Sequence, residues 1–380
     1  MKIAGSMKTI ETDTLIIGSG FYGTGLANYL HHQKKNFIII GTYMDLWLHH
    51  TLDTMFLRSE IQTSALAHPE NRFSLENFSR ENKINLPSRI PVLLFRKYLL
   101  WCREQLNYKI ISDFVVHLEI IDNQPGDDTI ENNPNSKRLN KRKRFHATLS
   151  DQTKIIAENV IVATGAQDHL HTPDNFLQNK KTIHSYEIDK LTNISDQNIL
   201  VAGSGQSSAE IIELMIQNKN RVSWYYRHKP RFINQPLYLP RTIFNLLNNS
   251  PDCIKKFPLN LRVALKKFSS LSTVTRNYKP LWKQTKTILS KNKCLTDFSE
   301  FDKIITATGF HYQVGQNKFF STKIVNHIKK EKFYPQLNDH FESTVPGLYF
   351  IGAASEMKFG PIMRFIPGSY YTSKILSEYL

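Results

Sequence analysis

Two segments of this sequence share one pattern, in which a strand of buried character runs through closely spaced glycines into a helical pattern. The first is TLIIGSGFYGTGLANYL, from Thr14 to Leu30. In such a turn the first glycine permits a tight bend, the second lets the backbone approach a pyrophosphate, and the third lets the helix pack closely on the strand. The helix start then offers free N–H groups to the phosphates. The pattern therefore predicts dinucleotide binding by Gly18, Ser19, Gly20, Phe21 and Gly23.

The second copy is NILVAGSGQSSAEIIELMIQ, from Asn198 to Gln217. Ser208 stands where the third glycine is expected, and Ala209 keeps the helix start small. One glycine turn is weak evidence, whereas two in one chain, each between a strand and a helix, are not. The chain is therefore expected to bind two dinucleotides, the second through Gly203, Gly205, Gln206, Ser207 and Ser208.

The strand that follows each glycine turn bears on which dinucleotide binds. A site for NAD or FAD usually has an acid at the end of this strand, which accepts the ribose hydroxyls. In the first copy Gly41 occupies that position. In the second copy the strand ends in Arg227, His228 and Lys229, which suits a ribose phosphate and favours NADPH over NADH. The alternative is that Arg227 is an ordinary surface cation.

The net charge of +16 suggests nucleic-acid or membrane binding only if the charges form a patch. Sixteen basic residues and one acid lie between Arg221 and Lys293, and a second basic run spans residues 137–144. The rest of the chain is slightly acidic. No recognised nucleic-acid-binding module accompanies the charge, so a nucleic-acid partner is not expected.

The two basic segments have different predicted structures. The short run ends a polar tract, Asp122 to Arg144, between two strand-like segments, which indicates an extended hairpin with a loop at its tip. Within the long segment, residues 261–271 have apolar positions at helical spacing with basic residues between them. This amphipathic helix is expected to pack on its own domain. The alternatives for residues 241–293 are a cap on the substrate pocket, a peripheral membrane contact and an acidic protein partner.

Two further strand-like segments end in Ala-Thr-Gly, ENVIVATGAQ (158–167) and FDKIITATGF (301–310), and a third, GLYFIGAAS (347–355), reaches Gly352. Together with the paired glycine turns, these segments resemble the two-dinucleotide-fold flavoproteins. The segments GSGQSSAE (203–210), HSYEI (184–188), WLHHTLDTMFLRSE (47–60) and FGPIMRFIPG (359–368) resemble flavin-dependent monooxygenases, of the flavin-containing and the lysine- and ornithine-hydroxylating groups.

The resemblance implies an α/β fold of two nested Rossmann-like domains in three layers. The FAD-binding domain would comprise residues 1–190 and 300–380, and the NADPH-binding domain residues 191–299 with the basic insert 241–293. It implies an FAD-dependent, NADPH-using monooxygenase that hydroxylates a small amine or other nucleophilic substrate with molecular oxygen, through a flavin hydroperoxide. The alternatives are an NAD(P)H:acceptor flavin oxidoreductase without oxygen insertion, and a non-catalytic flavin-binding protein.

The same resemblance implies roles for residues outside the glycine turns. Arg58 would stabilise reduced flavin or orient NADPH, and Ser59 and Arg364 would share its site, although Arg58 in a surface salt bridge is the alternative. His184 would bind the cofactor or serve as a structural residue between the domains. The other residues implied in cofactor binding are Trp47, Val116, Ala163, Thr164, Gly165, Thr308, Gly309 and Gly352.

The three cysteines lie far apart, without a Cys-x-x-Cys pair and without histidines at zinc-site spacing. No metal site is therefore expected, and the flavoproteins that carry a dithiol beside the flavin are a poorer match. No apolar stretch reaches the roughly eighteen residues that a membrane span needs. The N-terminal residues also lack the apolar core of a signal peptide, so the expected location is the cytoplasm. The sequence leaves the oligomeric state open.

Overall fold

A computed structural model describes residues 8–121, 144–234, 250–269, 273–289 and 295–380. The strands are β1 Thr9–Ile17, β2 Phe37–Ile40, β3 Ile110–Ile111, β4 Val115–Ile121, β5 Arg144–Leu149, β6 Lys154–Val162, β7 Thr182–His184, β8 Asn198–Ala202, β9 Arg221–Tyr226, β10 Arg231–Ile233, β11 Thr273–Thr275, β12 Lys286–Leu289, β13 Lys303–Thr306, β14 Lys330–Glu331, β15 Tyr334–Pro335 and β16 Leu348–Phe350.

The helices alternate with these strands through most of the chain. They are α1 Phe21–His32, α2 Asp45–His49, α3 Leu75–Asn82, α4 Val92–Glu104, α5 Asp174–Leu177, α6 Ile188–Leu191, α7 Gln206–Gln217, α8 Ser250–Ile254, α9 Leu259–Ser269, α10 Leu281–Gln284, α11 Thr322–His327, α12 Glu356–Phe359 and α13 Gly368–Tyr379. Short 3₁₀ turns add Ile61–Thr63, Arg276–Tyr278, Val314–Gln316, Gly352–Ser355 and Pro361–Arg364. Among the helices so described, none is both long and apolar enough to cross a bilayer.

The first sheet has the strand order β3-β2-β1-β6-β5-β4, and β16 also pairs with β6. Its strands are parallel except where β5 pairs with β4 and β6. The centre of the sheet is buried: Leu15 and Ile16 in β1 and Val160 and Ile161 in β6 have no exposed surface. Continuous apolar runs of this kind are typical of parallel strands covered on both faces.

The second sheet is parallel throughout, in the order β12-β9-β8-β13-β7. Its core includes the buried side chains of Val201, Trp224 and Ile305. The two parallel sheets confirm the predicted α/β class. β7 precedes residue 190 and β13 follows residue 300, yet both pair in this sheet. The domain borders themselves stay a prediction.

The predicted hairpin is confirmed by the antiparallel pairing of β4 with β5, which runs from Val115 opposite Leu149 to Ile121 opposite Arg144. The tip of this hairpin, residues 122–143, lies outside the described residues, and so does the basic run except for Arg144.

The predicted basic helix is observed as α9, although it begins two residues earlier than expected and residues 270–272 lie outside the described chain. The Arg262 side chain, which is 9% exposed, donates to Glu331 at 2.7 Å and to the Met357 carbonyl at 3.0 Å. Ile254 of α8 fills the space beside Gly360, and Tyr371 donates to Asp252 at 2.7 Å.

The partners of Arg262 in α9 include Glu331 and Met357, which the predicted domain borders assign to the FAD-binding domain. The expectation that the helix packs on its own domain depends on those borders and, like them, stays a prediction. The nearly buried guanidinium requires acceptors, which Glu331 and the Met357 carbonyl provide. Leu259 and Leu261 stay partly exposed on the outer side of α9.

Candidate functional site

The glycines of the first turn have distinct steric roles. Gly18 has φ +110°, and a Cβ built on it would lie 2.5 Å from the Ala163 carbonyl oxygen. A Cβ on Gly23 would lie 1.9 Å from the Gly18 carbonyl oxygen. At Gly20, the N-cap residue of α1, a Cβ would meet no atom of the described residues within 4 Å. Open space at a helix N-terminus is what a pyrophosphate requires.

The second turn repeats this geometry at the end of β8. Gly203 has φ +147°, and a Cβ there would lie 2.4 Å from the Ala307 carbonyl oxygen. The indole N–H of Trp224 donates to the Gly203 carbonyl at 2.7 Å, and Ser208 donates its hydroxyl to the Gly205 carbonyl at 2.6 Å. The Gly203 carbonyl is thus engaged by an indole, and the third position holds a buried serine instead of a glycine.

The two turns occupy equivalent places in the two sheets. In each, the backbone N–H of the first glycine donates to a carbonyl near the end of the neighbouring strand. The backbone N–H of the alanine in Ala-Thr-Gly donates to the carbonyl of the residue directly before that glycine. The bonds are Gly18 to Ile40 (2.8 Å), Ala163 to Ile17 (2.8 Å), Gly203 to Tyr225 (2.9 Å) and Ala307 to Ala202 (2.7 Å). Both sites therefore lie at the carboxyl ends of parallel strands, where α/β sheets bind nucleotides.

The glycines of the Ala-Thr-Gly segments also have positive φ, +71° at Gly165 and +78° at Gly309. Within the described ranges, a Cβ on either would meet nothing within 4 Å. Thr164 is half-buried, whereas the Thr308 hydroxyl donates to the His171 carbonyl. The backbone is thus open to a ligand beside each turn.

Ser19 supplies a test of whether the first turn fits a phosphate ligand. Its hydroxyl is buried and has no hydrogen-bond partner in the part of the chain that the structure describes. Gly41 lies against it: Gly41 has φ +140°, and a Cβ there would be 3.1 Å from the Ser19 nitrogen and hydroxyl oxygen. An acid at position 41 would be strained and crowded, which explains its replacement by glycine. The free hydroxyl and the open Gly20 fit a pyrophosphate.

Aromatic side chains line the start of α1. Trp47 packs edge-on against Phe21, with ring centroids 6.4 Å apart, and against Phe95 at 5.0 Å. The Tyr22 ring packs against Gly352, which has φ +70°, and a Cβ there would lie 3.3 Å from the ring. The Tyr22 hydroxyl donates to the Phe365 carbonyl at 3.0 Å. Trp47 and Gly352 thus lie beside the first turn, and their contact with the cofactor stays a prediction.

Val116 lies elsewhere on the first sheet. It sits at an irregularity of β4, the edge strand, and its side chain is 49% exposed. Its role in cofactor binding stays a prediction.

His184 has a structural environment. It ends β7 and is buried, and its Nδ1 accepts a hydrogen bond from the Tyr186 backbone N–H at 3.1 Å. The proton therefore lies on Nε2, which is 3.3 Å from the Gly309 carbonyl oxygen and donates to it. Burial lowers the pKa of His184, so the neutral ring is favoured. His184 ties the second Ala-Thr-Gly loop to the linker, which comprises residues 184–188, and its contact with the cofactor stays a prediction.

Tyr186 connects this linker to the first glycine-turn region. Its ring stacks on His50 with centroids 3.9 Å apart, and its carbonyl accepts from His50 Nδ1 at 3.0 Å. The Tyr186 hydroxyl lies 3.4 Å from Asp45 Oδ2, which is also 3.3 Å from His50 Nε2. Burial raises the pKa of Tyr186, with the Asp45 charge adding to the shift.

Arg227 is exposed just after β9, at the carboxyl end of the second sheet. Two loops meet near it: His171 and His311, which follow the two Ala-Thr-Gly segments, stack at 3.7 Å. Burial lowers the pKa of both histidines, and the positive charge of Arg227 lowers them further. An anion in this position would therefore meet the Arg227 cation and neutral imidazoles.

Arg58 and Ser59 face different partners. The Arg58 guanidinium donates to Thr273 Oγ1 in β11 at 2.6 Å, so it reaches the part of the chain that carries the second turn. The Ser59 hydroxyl is 2.7 Å from the Ser64 hydroxyl, which donates to the Glu60 carbonyl. Ser59 is exposed and hydrogen-bonded within its own loop. A catalytic role for either residue stays a prediction.

Arg364 pairs with a buried acid. Its guanidinium lies 3.4 Å from Glu356 Oε1, and Tyr334 donates to Glu356 Oε2 at 3.3 Å. Burial raises the pKa of Glu356, whereas the Arg364 and Lys266 charges lower it. The Arg364 side chain is partly exposed, whereas that of Glu356 is buried. A catalytic role for Arg364 stays a prediction.

Gln206 and Ser207 begin α7. Ser207 is exposed at the second helical position, and the Gln206 side chain is held by Thr275 and Glu210. Sequence reasoning assigned no role to Glu210, Tyr22 or Tyr186. Three sequence features could have identified them. Glu210 is an acid inside the apolar run AEIIELMI, Tyr22 lies inside the first glycine turn, and Tyr186 follows His184 by two residues.

Comparisons with known proteins now bear on this geometry. Two family models, both described as pyridine nucleotide-disulphide oxidoreductase, match residues 12–237 and 129–352. No curated protein matches the chain by sequence.

Solved structures match the fold over nearly the whole chain. The Kutzneria sp. 744 ornithine N-hydroxylase KtzI, solved with reduced FAD, NADP+ and L-ornithine, has a TM-score of 0.77 and 16% identity, covering 97% of this chain and 99% of that one. The cadaverine monooxygenase DfoA of Erwinia amylovora has a TM-score of 0.71 and 16% identity, and the match covers 97% of this chain and 94% of that one. The L-lysine 6-monooxygenase of Pseudomonas syringae has a TM-score of 0.71 and 14% identity, and the match covers 97% of this chain and 98% of that one. This likeness shows the two-dinucleotide-binding fold.

Proposed function

This chain belongs to the pyridine nucleotide-disulphide oxidoreductase family, and we propose that within it the protein is an FAD-dependent, NADPH-using monooxygenase that hydroxylates a small amine. The observation that carries the proposal is the pair of equivalent glycine turns, each packed on the carbonyl of the alanine in an Ala-Thr-Gly segment and each leading into a helix. The structural neighbours named as ornithine, cadaverine and lysine hydroxylating enzymes support the substrate class.

The cysteines support a monooxygenase over a dithiol enzyme. Cys102 is buried, and burial raises the pKa of its thiol, so it is a poor nucleophile. Cys253 is exposed on α8, and Cys294 lies outside the described residues. In the sequence these three positions are far from one another and form no Cys-x-x-Cys motif.

The proposal assigns binding to this chain's residues and oxygen chemistry to the cofactor. Bound FAD would supply the hydride-accepting and oxygen-reducing chemistry, so the protein would need no nucleophile of its own. The open backbone at Gly20 and the Ser19 hydroxyl would hold the FAD pyrophosphate. Gly205 and Ser207, at the start of α7, would hold the pyrophosphate of NADPH, and Arg227 would hold its ribose phosphate.

The segments between the turns would keep the two halves aligned. Tyr186 stacks on His50 while His184 holds Gly309, so one short linker contacts both the α2 region and the second Ala-Thr-Gly loop. A fixed linker of this kind orients two cofactors toward each other without itself taking part in chemistry.

Replacing Arg227 with alanine should raise the KM for NADPH about tenfold or more, because a charge-assisted contact to a phosphate is lost. The KM for NADH should change by less than about twofold. Initial rates of flavin reduction with each nicotinamide measure both values. Arg221→Ala is the matched control, since Arg221 is an exposed cation at the opposite end of the same strand. Equal effects of Arg227→Ala on both cofactors would refute the assigned role.

Purified protein tests the proposal in two steps. It should retain FAD, and NADPH should reduce that FAD under nitrogen; protein that cannot be loaded with FAD would overturn the proposal. Under air, NADPH oxidation without an amine should release hydrogen peroxide. With ornithine, lysine or cadaverine added in turn, at least one of these amines should be consumed and less peroxide should be released per NADPH oxidised. Rapid dye reduction without any amine consumed would favour the alternative, a flavin oxidoreductase without oxygen insertion.

A further inference from the structure

Glu210 is a buried acid in the helix that carries the second glycine turn. It lies four residues after the start of α7, and 4% of its surface is exposed. Burial raises the pKa of its carboxyl to about 7, against opposing contributions from Gln206 and Arg58. A buried ionisable group that is costly to keep is a candidate for a functional role.

The first contact of Glu210 orients Gln206. The Gln206 amide nitrogen donates to Glu210 Oε1 at 2.9 Å, and its amide oxygen accepts from the Thr275 backbone N–H at 2.9 Å and the Thr275 hydroxyl at 3.1 Å. The carboxamide is therefore fixed in one orientation between a carboxyl and β11. Because Gln206 is the first residue of α7, these bonds position the helix start.

Glu210 also interacts electrostatically with Arg58, in the first half of the chain. Arg58 donates to Thr273, at the start of the short strand β11. Gln206 accepts from Thr275, at the end of the same strand. The positive charge of Arg58 lowers the pKa of Glu210, and the charge of Glu210 raises that of Arg58. Leu57, the neighbour of Arg58, packs in the same hydrophobic cluster as Phe21 of the first glycine turn.

Three other ionisable groups face Glu210. The Glu213 charge raises its pKa and the Arg89 charge lowers it, while the Glu210 charge adds to the raised pKa of Tyr278. Tyr278 stays neutral near pH 7 because burial raises its pKa. The ionised carboxyl therefore has Arg58 and Arg89 as opposing charges, and the protonated carboxyl loses both attractions.

We propose that Glu210 is a positioning residue whose ionised form fixes the NADPH-binding turn against the Arg58 segment and so tightens NADPH binding. The inference rests on the proposed function, since it assumes that the second turn binds NADPH. Ionisation strengthens the Gln206 bond and attracts Arg58, so α7 is held on β11. Protonation weakens the Gln206 bond, removes the attraction to Arg58 and leaves the helix start less well placed for the phosphates.

Ionisation of Glu210 also affects the stability of the ligand-free protein. A folded-state pKa of about 7 lies above the usual 4.5, so the folded protein binds this proton more tightly than the unfolded chain. The corresponding stability is present below pH 4.5 and is lost as the pH rises through 7. Glu210→Gln, which cannot ionise, should therefore raise the thermal midpoint more at pH 8 than at pH 5, relative to wild type.

Calorimetric titration of the FAD-loaded protein with NADP+ at pH 6 and pH 8 tests the binding role. We expect Glu210→Gln to bind about fivefold more weakly than wild type at pH 8 and nearly equally at pH 6. Comparing variants at each pH removes the titration of the ligand and of the nearby histidines. Glu213→Gln, at a half-buried acid one turn further along α7, is the comparison variant. Because the Glu213 charge raises the pKa of Glu210, this variant should bind NADP+ as wild type does at pH 8 and keep its pH dependence, displaced to lower pH.

Arg58→Met should show the same pH-dependent loss, and the double variant should lose no more than either single one. The inference is overturned if Glu210→Gln has the same ratio of Kd at pH 6 to Kd at pH 8 as wild type, and if its thermal midpoint depends on pH as that of wild type does. Wild-type protein that binds no NADP+ at either pH would overturn the proposed function and the inference together. The midpoint profile still tells whether the Glu210→Gln variant is folded.

Discussion

Replacing Gly23 with alanine should strongly lower the free energy of unfolding and the amount of FAD that the protein retains. The added methyl group would lie 1.9 Å from the Gly18 carbonyl oxygen, which belongs to backbone and cannot turn away. Helix α1 would have to move off β1, at a cost of about 3 kcal/mol or more. Denaturant unfolding should show this loss, and the purified variant should contain little FAD.

Gly20→Ala provides the contrast that separates folding from binding. Gly20 has φ −78°, an ordinary value, and its Cβ would meet no described atom within 4 Å. Its free energy of unfolding should fall by less than about 1 kcal/mol. The methyl group would nevertheless occupy the space that a pyrophosphate needs, so the Kd for FAD should rise about tenfold or more. FAD binding by Gly20→Ala equal to wild type would contradict the first site.

Arg262→Met should give the second large loss of stability, about 3 kcal/mol. The guanidinium donates to Glu331 at 2.7 and 3.2 Å and to the carbonyls of Met357 and Phe257 at 3.0 Å. Methionine fills a similar volume, so the change removes the donors and leaves the mostly buried Glu331 without its cation. Chemical denaturation measures the loss.

The matched control for this prediction is Lys286→Met. Lys286 also pairs with an acid, Glu300, at 3.4 Å, but both side chains are largely exposed, so the expected loss is less than about 1 kcal/mol. The double variant Arg262→Met with Glu331→Gln should recover part of the stability, because the uncompensated charge is gone. Equal losses in Arg262→Met and Lys286→Met would show that the insert is not anchored through this pair.

The sequence predicts the parts of the fold that depend on local pattern. Both glycine turns, the Ala-Thr-Gly strand ends and the β4–β5 hairpin follow from residue type and spacing, because tight backbone approach demands glycine and buried parallel strands demand apolar runs. The requirement is visible at Gly18 and Gly203, each about a bond length too close to a carbonyl for any side chain.

Other features depend on contacts between residues far apart in the chain. Ser208 in place of glycine accompanies an indole bond from Trp224 to the Gly203 carbonyl, and Gly41 in place of an acid reflects crowding by Ser19. The docking of α9 on residues 331–371 needs Glu331, which lies 69 positions from Arg262. Glu210 looks like a solvated helical acid until its burial against Gln206 is seen. Local pattern carries no information about such partners.

The origin of the product oxygen tests the central claim most directly. FAD-loaded protein would be incubated with NADPH, isotopically labelled molecular oxygen and ornithine, lysine or cadaverine, and the amines analysed by mass spectrometry. The account predicts that at least one amine gains a single labelled oxygen atom, in an amount matched to the NADPH consumed. NADPH oxidation that yields only labelled peroxide or a reduced dye, with every candidate amine unchanged, would contradict it.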